Sequence, residues 1–209
     1  MHSNQKARHK RPIASAVAAL GLGLGIAFAT PAAVAEPIKE KVDLTHTSVH
    51  FNVWHGGFSQ VTYLFRTVKV EEFIFDRTDV SKSKVKAVVE TSSIDSNHFY
   101  RDNFTRSDTF LNSKKFPTAT FESTKIEKTG DKTGKMTGNL TMVGMTKPVT
   151  FDVTYNKGGP HLRGKFAIDG FTVRGTIKRS DWGIKAFIPW VGDEIEIVIQ
   201  MEAHRPIDK

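Results

Sequence analysis

From residue 40 onward, apolar and polar side chains trade places at every other position over long stretches. That is the period a strand needs when one of its faces is buried. The cleanest run covers residues 149–155. There Val149, Phe151, Val153 and Tyr155 share one face, and Thr150, Asp152 and Thr154 share the other. The same pattern predicts strands over residues 40–44, 48–55, 61–75, 82–91, 118–127, 135–143, 149–155, 161–176 and 194–203. Turn residues punctuate them. Val143-Gly144-Met145-Thr146 puts Gly144 at the first central position of a hairpin, the type II′ choice, because glycine tolerates positive φ. Residues 129–134 and Gly158-Gly159-Pro160 are the other turn signals. Strands so spaced, with no long helix between them, imply antiparallel pairing. About eight of them close into a barrel wide enough for one small ligand. An immunoglobulin-like sandwich is the alternative, but the long 61–75 run suits a coiled barrel strand better.

Residues 96–107 break the alternation. Asp95 or Ser96 is placed to cap a short helix there. Tyr100 and Phe104, four apart, would share a face of it. The expected fold is therefore all-β, an extended antiparallel barrel carrying one short helix.

The first 35 residues belong to a different class. Lys6, Arg8, Lys10 and Arg11 form a basic start, residues 14–29 are apolar and rich in Gly and Ala, and Ala33-Val34-Ala35 precedes Glu36. That is the layout of a cleaved secretory signal peptide. The apolar run is short for a roughly 20-residue membrane span. Export to the periplasm is the expectation, with residues 36–209 as one domain. The chain has no Cys, so neither a disulfide nor a lipidated cysteine is available. Its 30 Lys and Arg, less the four in the leader, stand against 22 Asp and Glu, leaving a net of +4. These charges are mixed in sign along the strands, which reads as solvated faces rather than a nucleic-acid footprint.

Catalytic signatures are lacking. There is no G-x-S-x-G, no phosphate-cradling glycine loop and no H-E-x-x-H. His46, His50 and His55 cluster in sequence, but no carboxylate sits at a ligand-like spacing beside them. On a strand His46 and His50 would face one way and His55 the other, so no metal is expected. Asp95 with Asp102, and Arg179-Ser180-Asp181, read as capping and turn networks. What remains is apolar side chain. Fifteen Phe are present, and Phe51, Phe65, Phe75, Phe121 and Phe151 fall on inward positions. Alternation alone fits a solid core and a lined tunnel equally well.

Six segments carry a resemblance, in order, over almost all of the chain after the leader. They are Ser48-Val49-His50-Phe51-Asn52-Val53-Trp54-His55; Ser93-Ile94-Asp95-Ser96-Asn97 with Arg101-Asp102; Lys115-Phe116-Pro117-Thr118-Ala119-Thr120-Phe121-Glu122-Ser123; residues 138–149, GNLTMVGMTKPV; Arg179-Ser180-Asp181-Trp182-Gly183-Ile184; and Val191-Gly192-Asp193-Glu194-Ile195. Together they resemble the YceI-like proteins. The resemblance implies a lipocalin-like barrel around a long apolar cavity, exported to the periplasm, without enzymatic activity or cofactor. Its ligand would be an isoprenoid lipid such as a polyprenyl quinone, carried, stored or sequestered, and dimers occur in the family. A barrel without lipid, serving as a stress-protective or interaction module, is the second reading. The implied ligand-contacting residues are Phe51, Val53, His55, Tyr63, Phe65, Phe75, Val89, Phe104, Phe121, Leu140, Phe151 and Val153. Two of them depart from the family pattern: Tyr63 stands where Gly is usual, and Phe104 replaces a polar residue. Residues 186–190, AFIPW, have no counterpart. They read as a loop lip in transient contact with a membrane or partner, or as packing over an open barrel end.

Overall fold

The computed structural model describes residues 38–207. The predicted leader and its cleavage site lie outside them. Within them the alternation becomes one antiparallel sheet of eleven strands. In chain order these are β1 (Ile38–Lys39), β2 (Lys41–His55), β3 (Ser59–Phe65), β4 (Val68–Phe75), β5 (Lys84–Glu90), β6 (Ile94–Asp95), β7 (Thr118–Lys128), β8 (Thr133–Met142), β9 (Met145–Pro160), β10 (Ala167–Lys178) and β11 (Val191–Arg205). The count exceeds eight partly because β1 and β6 are two residues each. The spatial order is β1-β4-β5-β7-β8-β9-β10-β11-β2-β3-β6.

The sheet curls round on itself. β1 and β2 are one extended segment interrupted only at Glu40. Its first two residues pair with β4, and residues 41–43 and 48–55 run along β11. The Glu40 N–H donates to the Phe73 carbonyl at 3.1 Å and carries the join across. Outward faces are polar and cross-linked. Thr137 bonds Thr150, Thr141 bonds Thr146, and Lys135 pairs with Asp152, each across one rung. Such cross-strand pairs fix the register that keeps the apolar set inside.

Four local expectations are corrected. Residues 61–75 are two strands, not one. The backbone leaves the sheet at Arg66-Thr67, whose N–H groups donate to Ser93. β3 then pairs with β2 and β6, and β4 with β5 and β1. Gly158-Gly159-Pro160 is not a turn, because all three residues pair with β10 and the chain reverses over residues 161–166. The β8–β9 hairpin has Val143 and Gly144 as its central residues, at φ 50° and 75°. Two positive values make it type I′, which matches the strand twist. Glycine is needed there twice over, since a Cβ on Gly144 would lie 2.7 Å from the Phe116 ring. Finally, α1 (Phe99–Arg106) is capped by His98, whose ring accepts from the Arg101 N–H. Asp95 is occupied by Arg66 and the Asn97 N–H, and Ser96 by Asp102.

Candidate functional site

The inward faces meet only in part, through clusters such as Phe73, Phe75 and Phe171. They surround a cavity of about 1280 Å³, above the roughly 300–1,000 Å³ of ordinary small-molecule pockets. Along β11 its wall runs from Ile195 to Met201, six strand steps or roughly 20 Å, and past a bulge to Val191. All twelve residues named from the sequence border it. Phe51, Val53 and His55 come from β2, Tyr63 and Phe65 from β3, and Phe75 from β4. Val89, Phe121 and Leu140 follow on β5, β7 and β8. Phe151 and Val153 lie on β9, and Phe104 on α1. Tyr63 is buried flat against Phe51, with ring centroids 4.9 Å apart.

The two ends of the cavity differ in chemistry. At one end Phe75 and Phe171 meet edge to face at 5.0 Å, and Tyr155 leans on both. Arg77 stacks over Phe75 at 4.9 Å and lines the cavity. Its guanidinium donates to Glu40 and to Asp169, whose side chains are wholly buried. Asp169 also accepts from the Tyr155 hydroxyl at 2.6 Å and from Arg205 at 3.1 Å. Burial pushes the Glu40 carboxyl up, against the opposing pull of Arg77. Burial first, and the bond to Asp169 second, push the Tyr155 phenol up to about 12. Beyond this cluster, Asp79, Lys128, Asp131 and Lys132 form a polar lip.

The other end is an aromatic mouth. Phe104 meets Phe110 at 5.3 Å and Phe187 at 5.9 Å, and Phe58 meets Trp190 at 6.0 Å. Phe58 is 80 % exposed, Trp190 56 % and Phe187 55 %. Arg179 holds this mouth in shape. The buried guanidinium donates to the carbonyls of Ile184, Ala186, Val191 and Gly192, so the 184–192 loop closes around it. Ser180 bonds Asp193 through both N–H and hydroxyl. These polar residues are committed to structure, as the sequence suggested for the Arg179 turn.

Some wall residues went unnamed in the sequence. Ile195, Ile197, Ile199 and Met201 alternate strictly and were legible by the rule that found Phe151. Phe110 and Leu111 lie in an irregular connection with no period to read. The histidine reading also changes. His46 sits in a bulge of β2, where residues 44–47 have no partner on β11, so strand alternation does not govern it. Its Nδ1 lies 2.7 Å from Asp43 Oδ2, a carboxylate three residues upstream.

The model of the YceI-like domain matches residues 41–203, the stretch that builds this cavity. The chain belongs to the YceI-like family. Protein YceI of Salmonella arizonae is 39% identical over 178 residues, 84% of this chain and 90% of the relative. The Campylobacter jejuni YceI protein superposes with a TM-score of 0.64 at 30% identity, over 72% of this chain and 88% of that one. A polyisoprenoid binding domain from Saccharophagus degradans shares the fold at a TM-score of 0.58 and 12% identity, over 82% of this chain and all of that one.

Proposed function

We propose that the protein is exported to the periplasm and holds one long isoprenoid chain, of the polyprenyl quinone kind, in the cavity. It acts as a carrier or store rather than an enzyme. The observation that carries this reading is a long, aromatic-walled cavity of about 1280 Å³ in a member of the YceI-like family. The shared fold with a domain described as polyisoprenoid binding supports it. Each buried CH₂ contributes roughly 0.8 kcal/mol, so a long chain gains affinity from the walls without a dense set of polar contacts. The branched methyls of an isoprenoid suit walls built of Phe, Val and Ile. The aromatic mouth supports entry of the chain from a membrane surface, with the tail passing between Phe104, Phe187 and Trp190.

Native mass spectrometry of protein purified without detergent tests this. The expected result is a non-covalent mass that organic extraction removes and that fragments as an isoprenoid. The extracted protein should also melt lower, since ligand at a hundred times Kd adds about 2.7 kcal/mol. Protein that is empty as purified, and that takes up no polyprenyl quinone on titration, overturns the reading.

A further inference from the structure

Outside the barrel, the bulge of β2 creates a second constellation. Between the rungs Ser48–Gln200 and Asp43–Glu202, β2 spends three more residues than β11. The excess folds His46 back over Asp43 and brings both against the end of β11, which carries Glu202 and His204. Asp43 Oδ2 lies 2.7 Å from His46 Nδ1 and 3.4 Å from His204 Nε2, and Glu202 Oε2 lies 3.9 Å from His46 Nδ1. The donor atoms of Asp43, Glu202 and His204 all fall within 4.8 Å of one another. Among the described residues no other group of His and carboxylates converges in this way.

We propose that Asp43, His46, Glu202 and His204 form a binding site for a divalent transition-metal ion, zinc or copper in class. Zinc binds imidazole nitrogen and carboxylate oxygen at about 2.0–2.2 Å. Adjacent donors around a tetrahedral ion then stand roughly 3.4 Å apart, the spacing of Asp43 from His204. Two imidazoles with two carboxylates suit zinc or copper better than calcium or magnesium, which prefer all-oxygen sets.

The donors are also oriented from behind. Asp43 Oδ1 accepts from the Thr45 N–H at 2.9 Å and the Thr45 hydroxyl at 2.6 Å, which leaves Oδ2 turned toward the two histidines. The His204 ring is held against Phe166, with centroids 4.2 Å apart, and Phe166 in turn stacks on His161. Backing of this kind fixes ligand direction at metal sites. Asp43 and His204 are mostly buried, while His46 is 64% exposed. The ion therefore enters from solvent and displaces the His46–Asp43 hydrogen bond. The site lies on the outer face, away from the lipid cavity, and does not depend on the lipid reading.

Titration of the metal-free protein with zinc by calorimetry, followed by NMR of the imidazole nitrogens, tests the proposal. One equivalent should bind, shifting the ring signals of His46 and His204 and leaving His50 and His55 in place. Asp43→Asn and His204→Ala should each weaken binding tenfold or more, with manganese weaker than zinc throughout. His98→Ala, at the helix cap, should leave affinity unchanged. Wild-type protein that takes up no zinc overturns the proposal even if a variant fails to fold. So does zinc affinity that survives His204→Ala in a folded protein, or ring shifts confined to other histidines.

Discussion

At the scale of single residues, the sharpest chemistry gathers on Asp169. It is wholly buried and receives Tyr155, Arg77 and Arg205. Removing one partner from such a cluster leaves buried charge uncompensated, and that costs far more than the cluster contributes when whole. The backbone opposite must be glycine. A Cβ on Gly158 would lie 1.8 Å from the Tyr155 hydroxyl and 2.4 Å from Asp169 Oδ1. The Tyr155 phenol titrates at about 12 in the fold and about 10 in the unfolded chain. Its stabilising contribution is therefore complete below about pH 10 and drains away as pH rises through 12. Absorbance titration of tyrosinate should show one group ionising near pH 12, absent in Tyr155→Phe. That variant should also lose less stability than the parent between pH 10 and 12. A parent in which every tyrosine ionises together near pH 10 contradicts the geometry.

The elements show how far alternation can be trusted. Residues 149–155 of β9 and 195–201 of β11 follow it without a break, and Phe151, Val153 and Tyr155 with Ile195, Ile197, Ile199 and Met201 line the cavity. The 61–75 run misled because its two halves both alternate. Yet its phase slips: Val61, Tyr63 and Phe65 line the cavity on odd positions, Val68 and Val70 on even ones, and Phe73 and Phe75 on odd ones again. The slips fall at Arg66-Thr67, where the strand breaks, and at Glu71, where β4 bulges. A one-residue slip turns a whole strand over, so the break was present in the sequence as a change of parity. The wall itself can be probed at Val153, between Phe151 and Tyr155. In a solid core a phenyl ring there overpacks by about 1–3 kcal/mol. In a tunnel the ring enters open space. Val153→Phe should keep the denaturant midpoint of lipid-free wild type and bind isoprenoid more weakly, or favour shorter chains. A large loss of midpoint with unchanged lipid affinity would place Val153 in ordinary core.

On the scale of the whole molecule the two ends of the cavity set a direction. One carries a buried ionic cluster and a polar lip, and the other is rimmed by exposed aromatics. Trp and Phe at such a rim are suited to the boundary of a bilayer. Mixing the protein with phosphatidylcholine vesicles doped with polyprenyl quinone should blue-shift tryptophan emission. Trp190→Ala with Phe187→Ala should slow uptake from vesicles while leaving affinity for quinone added from solvent nearly unchanged. Equal uptake rates would remove the mouth from the loading route. The sequence by itself determined most of the long strands, their antiparallel pairing, the presence of the helix and the apolar inner face. Each follows from a local period or a turn residue, and locality is what a sequence displays. Only the tertiary structure decided that the inner faces stand apart around a cavity, because filling a space depends on how far the sheet curls and not on which side chains point inward. It alone brought Arg77 to Asp169 across 92 positions and turned His46 onto Asp43 beside His204, because a bulge and a strand crossing join residues that share no period.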